Sequence, residues 1–384
     1  MIDLENICDQ KECTGCFACY NICPKKAITM KEGKLGHIYP EIDKDKCIDC
    51  NLCQKICPSN KEIQLKEPLK SYAMKSKNED IRNKSTSGGA ATIFAMNVIK
   101  KGGIVYGANN IQNGKFDFIR IKRKEELEKI KGSKYVQCYI NDIFKNVKED
   151  LLNNLQVLFI GTPCQISGLK SYLGKDFEKL IIVDLICHGV PSQRLLKDEI
   201  ELIGEDFEKV EKILFRTMES SGYNISIYQN NKLKNYKKME DSSYCKGFMS
   251  ALFFRESCYN CKYAQKNRIS DITIGDFWGL KEDSKLYKDR DKGVSVILPI
   301  TEKGIKFIEE CKCDMTIEER TVEEAVYGNS QLRHPSIKPK RYNKFIKLYE
   351  KHGLEKAYLR TRTIKQVIKD NKVIMNVYKK IKGR

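Results

Sequence analysis

Two four-cysteine runs, each closed by a proline, limit what this chain can become. Cys13, Cys16, Cys19 and Cys23 precede Pro24, and Cys47, Cys50, Cys53 and Cys57 precede Pro58. Both read C-x-x-C-x-x-C-x-x-x-C-P, the spacing in which three thiolates close on one four-iron cubane and the fourth reaches across to another. The expected ligand sets are therefore crossed. Cys13, Cys16, Cys19 and Cys57 hold one 4Fe–4S cluster in this reading, and Cys47, Cys50, Cys53 and Cys23 hold the other.

Zinc and disulfides are the competing readings. Zinc ribbons separate their cysteine pairs by a loop, whereas here four cysteines fall within eleven residues, twice. A disulfide scaffold needs an oxidising compartment, and Met1 to Gln10 has acidic residues and no basic-then-apolar signal. The run resembles the bacterial two-cluster ferredoxins over roughly the first sixty residues.

A chain of 384 residues leaves a large second body, two or three domains in all. The longest apolar run, Leu180 to Cys187, is broken by Asp184 and is too short to span a bilayer, so no transmembrane segment is expected. Seventeen cysteines without an export signal point to a reducing cytoplasm, and nine of them lie outside the two runs. A further metal centre is worth seeking among the nine. The net charge of +19 is spread along the chain as isolated lysines, the pattern of a solvated surface. Its one concentration runs from Lys338 to Arg384, which reads as helical, with Ile364, Val367, Ile368 and Val373 on an apolar stripe. Tyr342, Phe345, Tyr349 and Tyr358 interleave its lysines, but their spacing suits an amphipathic helix better than a base-stacking platform, and no nucleic acid is expected.

Polar residues from Ser59 to Pro68 read as a linker. Expected divisions are a ferredoxin head and linker at 1–68, an α/β body at 69–340, and a basic helical tail at 341–384. The fold class is thus an α+β head followed by an α/β domain with a mixed, largely parallel sheet. Strands are expected at 103–106, 116–121, 156–160 and 180–186, with helices at 90–100, 140–154 and 165–172; strand–helix alternation argues for parallel pairing. Later strands are expected at 212–217, 223–228, 271–275 and 294–300. Asn230 and Asn231 separate two extended runs like a hairpin turn.

Several loops of this body have unusual chemistry. Ser85-Thr86-Ser87-Gly88-Gly89 opens a helix, and unpaired N–H groups there favour an anion, although a plain cap is the simpler account. Gly132-Ser133-Lys134-Tyr135-Val136-Gln137 offers a lysine beside small residues. Gly161-Thr162-Pro163-Cys164-Gln165 and Cys187-His188-Gly189-Val190-Pro191-Ser192 each follow a strand, where open parallel sheets bind ligands. Cys258 and Cys261 form a C-x-x-C pair that needs partners. Cys164 and Cys187 could supply them, completing a third 4Fe–4S cluster; buried, unligated cysteines are the alternative.

In this order SGG, GSKY, GTPCQ, CHGVPS, C-x-x-C and GDFWG resemble the coenzyme F420 hydrogenase/dehydrogenase beta-subunit family, over residues 1 to about 340. That resemblance implies FAD held by Ser87, Gly88, Gly89, Gly132, Ser133, Lys134, Thr162, Pro163 and Gln165, and strengthens a third cluster on Cys164, Cys187, Cys258 and Cys261, with Cys245 as an alternative fourth ligand. Cys138 departs from the small hydroxyl residue of relatives and is not taken as a ligand. The implied activity is that of an FAD-dependent iron–sulfur oxidoreductase. It would move electrons between a two-electron donor or substrate and the clusters, with a redox partner protein or small-molecule donor or acceptor; an electron-transfer subunit without its own substrate site is the alternative. His188, with a side chain that titrates near neutrality, is the candidate proton donor. Trp278 is expected in a core or domain interface rather than against a flavin ring. Cys8, Cys311 and Cys313 receive no role.

Overall fold

The structure is a computed structural model and describes residues 7–217 and 222–370. Val373 and the rest of the basic run to Arg384 lie outside the described residues, as do residues 1–6 of the segment read for a signal. The head consists of two short helices, α1 (Ala18–Ile22) and α2 (Leu52–Ile56), and an antiparallel pair, β1 (Ile28–Glu32) and β2 (Ile38–Ile42). Each helix carries the third cysteine of a run and ends on the fourth. The two runs share a backbone conformation: Gly15 and Phe17 in one, and Asp49 and Asn51 in the other, all have φ between 51° and 65°. Such left-handed residues are costly outside glycine, so their recurrence at matching positions marks a shape imposed on both loops.

The body is built on an eight-stranded sheet. Its strands are β3 (Ser71–Ser76), β4 (Ile104–Ala108), β5 (Phe118–Ile121), β6 (Val157–Gly161), β7 (Leu180–Leu185), then, after a separate small sheet of β8 (Lys212–Thr217), β9 (Gly222–Gln229) and β10 (Lys232–Lys238), β11 (Ile272–Asp276), β12 (Ser295–Pro299) and β13 (Met315–Arg320). The order is β13-β3-β12-β11-β7-β6-β4-β5. Strands β4, β6, β7 and β11 form a parallel centre, and antiparallel strands extend it on both sides. The parallel character expected from strand–helix alternation is therefore confined to the centre. The meander at residues 212–238 makes its own sheet, with Asn230 and Asn231 at φ 51° and 58° in the tight turn between β9 and β10.

Helices α3 (Glu79–Asn83), α4 (Ala90–Lys100), α5 (Ile143–Leu152), α6 (Pro163–Leu173), α7 (Gln193–Leu202), α8 (Ser243–Met249), α9 (Glu302–Cys311) and α10 (Val322–Gly328) complete the body. Their ends are written locally. Thr162 and Gln165 form a capping box at the start of α6 with Pro163 in its first turn, and Gly174 at φ 70° closes it. Pairs such as Phe94 and Phe307, 5.4 Å apart, join α4 to α9 under one sheet face. On the other face a single apolar cluster runs from Phe159 and Ile166 of the body to Cys16, Phe17, Leu35 and Ile56 of the head. The head is thus packed into the body's core rather than tethered beside it.

After Pro339 come α11 (Tyr342–Thr361), kinked at Gly353, and α12 (Ile364–Asp370). The aromatics that interleave the lysines turn inward: the Phe345 ring lies 5.5 Å from that of Phe253, tilted at 40°, and Tyr342, Tyr349 and Tyr358 are buried with it. They are core residues, which removes any base-stacking surface there. The stripe on α12 stays open, with Ile364 exposed. Among the described residues no helix is long and apolar enough to cross a membrane.

Candidate functional site

The shared αL residues bracket the second cysteine of each run, Cys16 and Cys50. Alternating right- and left-handed residues gather successive N–H groups into a concavity suited to anionic groups, iron–sulfur clusters among them. Cys13 and Cys57 lie close enough to Cys16 and Cys19 to raise the cost of ionising both; with burial as the larger cause, this pushes Cys16 up to about 12. Cys53 feels Cys23 and Cys47 in the same way, after burial. Members of each run thus meet the fourth cysteine of the other run. The first group is buried, whereas Cys50 of the second is exposed, flanked by exposed Ile48 and Leu52.

A third group forms in the body. Strands β6 and β7 are parallel neighbours, so their carboxyl ends present Cys164 and Cys187 side by side. The short 3-10 turn Glu256–Asn260 brings Cys258, with Cys261 just beyond it. Cys258 is held up by burial and by the thiols of Cys187, Cys261 and Cys164. Burial, then Cys164, pushes Cys187 up to about 12 and Cys261 up to about 11. Cys245 lies elsewhere, its backbone N–H bonded to Ser242 Oγ and its thiol raised by burial with Glu199 nearby. Cys138 donates its thiol to Val136 O.

Among the described residues no three His, Cys, Asp or Glu side chains converge as tightly as one metal ion requires.

A cavity of about 310 Å³ opens at the carboxyl ends of the parallel strands. Of the residues expected to hold a cofactor, Ser87, Gly89, Gly132, Ser133, Lys134, Thr162 and Gln165 line it, as do Cys164, Cys187 and His188. Gly88 and Pro163 do not. Gly88 is turned to the sheet, where its N–H meets Ser295 Oγ at 2.9 Å and a Cβ would come within 2.1 Å of Met74 O. Pro163 is buried in the first turn of α6. Thr86 Oγ1 and Ser133 Oγ, 3.0 Å apart, tie two of the loops together. The Gln165 amide is spent on structure, accepting from Thr162 and donating to Cys138 O. Lys134 Nζ donates to Ile130 O at 2.6 Å and Lys131 O at 2.8 Å, and burial of the ammonium pushes its pKa down to about 7.

His188 is exposed at the cavity mouth, and its crowded surroundings lower its pKa against the opposing pull of Asp276. Trp278 is not a core residue: it is 58% exposed and also lines the mouth, with the Arg216 guanidinium 5.9 Å from its ring. The turn after β11 carries it past the sheet edge, which composition alone could not reveal.

Three features escaped the sequence. Thr14 and Gly15 of the first cysteine run line the cavity. Cys8 packs with Cys13, Cys19 and Cys57, and its thiol, bonded to Cys13 and Cys57, is strongly disfavoured from ionising. Arg255 is 1% exposed and hydrogen-bonds Cys13. No spacing signal marks a lone cysteine or a lone arginine; only the fold brings them to the runs. Cys311 is buried under the sheet and Cys313 is exposed, each away from these groups.

No curated protein matches the chain. A chain of the F420-reducing NiFe hydrogenase complex from Methanosarcina barkeri is similar in structure, at 18% identity and a TM-score of 0.46, over 78% of this chain and 94% of that one. Residues 12–61 match the 4Fe-4S dicluster domain. Residues 71–145 match the coenzyme F420 hydrogenase/dehydrogenase beta subunit N-terminal region, and residues 155–325 match its C-terminal region. The chain therefore belongs to the coenzyme F420 hydrogenase/dehydrogenase beta-subunit family and carries a 4Fe–4S dicluster domain.

Proposed function

We propose that the protein is an iron–sulfur flavoprotein oxidoreductase, with FAD in the cavity, a third 4Fe–4S cluster on Cys164, Cys187, Cys258 and Cys261, and two clusters in the head on the crossed cysteine sets. One observation carries this reading: the same cavity is lined by Thr14 and Gly15, between Cys13 and Cys16, and by Cys164 and Cys187. A ligand there touches both cysteine territories. When bound, a flavin supplies the exchange between two-electron donors and one-electron clusters.

The chain's own residues do the rest. The amino end of α4, with Ser87, Gly89 and Thr92 on the cavity wall, offers N–H groups and a dipole to a pyrophosphate. Lys134, fixed by two carbonyls on the cavity wall with its pKa lowered by burial to about 7, could give or take a proton there. His188 at the mouth exchanges a proton with an incoming substrate. In this reading residues 1–68 are the electron-carrying head, 69–340 the flavin-binding body and 341–384 a basic appendage. A reducing cytoplasm suits seventeen free thiols.

A second reading is favoured by the exposed face of Ile48, Cys50 and Leu52: an electron-transfer subunit that docks its head on a catalytic partner and has no substrate site of its own. Anaerobic purification with iron, sulfide and flavin analysis tests the cofactor assignment, with about twelve irons and one FAD expected. About eight irons with FAD would remove the third cluster, and zinc in place of iron would sink all three. Turnover of a small hydride donor with an artificial acceptor separates the enzyme from the shuttle.

A further inference from the structure

Among the described residues Arg255 is the largest side chain buried completely, and it lies at the seam between head and body. Its Nε donates to Cys13 O at 2.6 Å and its Nη2 to Cys13 Sγ at 3.4 Å. The guanidinium stacks 4.2 Å from the Tyr39 ring centroid. Nη1 has no hydrogen-bond partner and points at Gly15, where a Cβ would come within 2.9 Å of it. Its main chain is tied to the other side: the N–H donates to Val190 O at 3.0 Å and the C=O accepts from Cys258 N–H at 2.9 Å.

A buried cation is costly without a compensating anion. The groups that favour its charge are Cys13 first, then Tyr39, with Cys258 further off. One residue thus stands between the first head group and the third group, with its side-chain hydrogen bonds given to the head and its main-chain ones to the body.

We propose that Arg255 is a positioning residue that directs electron flow into the head, by raising the reduction potential of the cluster bound through Cys13 above that of the centre bound through Cys258. The proposal rests on the cluster assignment made above. Reducing a cluster by one electron adds one negative charge, and a fixed cation hydrogen-bonded to a ligand sulfur stabilises that added charge. The step it favours is a single electron leaving the Cys258 centre, which is oxidised, for the Cys13 cluster, which is reduced; no proton moves.

Redox titration of the anaerobic full-length protein, followed by electron paramagnetic resonance, reads the potentials directly. Arg255→Met and Arg255→Gln should lower the potential of the Cys13 cluster by roughly tenfold or more in the one-electron equilibrium, about 59 mV per tenfold. The cluster of Cys47, Cys50, Cys53 and Cys23 should keep its potential in both variants. Arg255→Lys, which keeps the charge, should recover most of the shift. A fully loaded Arg255→Met with wild-type potentials would overturn the proposal. If Arg255→Met does not load iron, the Gln and Lys variants decide, and equal potentials in those two overturn it. Loss of the cluster assignment looks different, because then wild-type protein itself lacks the Cys13 or Cys258 signals.

Discussion

Gly168 lies directly on Cys16. A Cβ at Gly168 would come within 2.8 Å of Cys16 Cβ and 3.0 Å of its Sγ. Gly168 is one turn along α6 from Cys164, about 6 Å by helical rise, so this contact sets how near the two cysteine territories approach. Neither atom of Cys16 is the free end of a flexible chain. Gly168→Ala should therefore push the head outward, at a cost of about 1–3 kcal/mol despite alanine's better helix propensity. Thermal unfolding checks the direction: a more stable Gly168→Ala would show that the seam has room to spare.

Replacing any of Cys164, Cys187, Cys258 and Cys261 by Ala should remove about four irons and leave the head clusters spectroscopically normal. Cys245→Ala and Cys138→Ala are the controls, because those thiols bond to or feel other groups. Full iron in Cys187→Ala together with a loss in Cys245→Ala would exchange the two assignments.

Anion binding at α4 is best tested away from Gly88. A Gly88→Val side chain would collide with Met74 O, so flavin loss in that variant would report damaged packing. Thr92 is half-buried in the first turn of α4 and lines the cavity. Thr92→Asp adds a negative charge where the helix dipole favours one by about 0.3–1 kcal/mol, but where a pyrophosphate would be repelled. Apoprotein stability should hold while FAD affinity falls tenfold or more, measured by flavin fluorescence. Unchanged affinity would leave Gly89 and its neighbours as a helix cap alone.

His37 gives the seam a pH dependence. Its Nε2 lies 3.0 Å from Val190 O, and burial, then the Arg255 charge, pushes its pKa from 6.5 down to about 3. Between those values the unfolded chain binds a proton that the folded chain refuses, so stability rises with pH through this window and is lost as pH falls from 6.5 towards 3. Urea unfolding of wild type should weaken by up to about 1.4 kcal/mol per pH unit from this group, and His37→Gln should show a shallower slope by that amount. Equal slopes from pH 4 to 6 would place His37 in water.

Much of this was legible in the residues. The two cysteine runs were legible as a 4Fe–4S dicluster segment, and β6 and β7 followed by Cys164 and Cys187 could be read from apolar runs ending in loops. Helix α4 starts and stops at the expected residues because Gly89 and the lysines at its end are local signals. Long-range pairing was not legible. Ser71–Ser76 shows no alternation that announces a strand, yet it pairs with β12 and β13, more than two hundred residues on. The sheet there is chosen by what remains to be covered. The aromatics of α11 pack inward as the spacing of an amphipathic helix implies, whereas Trp278, expected in a core or interface, stands open at the cavity. A ring in a sequence carries the same apolar area in either place, and only its neighbours decide.

The shared core of head and body bears on how the protein is made. The head is complete at about residue 61, but the surfaces that cover it include Gly168, Ser192, Arg194 and Arg255, and the Lys66–Arg268 bridge ties down its linker. At ordinary translation rates roughly 10–40 seconds separate residue 61 from residue 268. During that interval the body residues that cover Cys13 and Cys16, Arg255 among them, have yet to be made. Once the body closes these cysteines are buried, so a group bound through them would have to enter before the seam forms or wait for it to reopen.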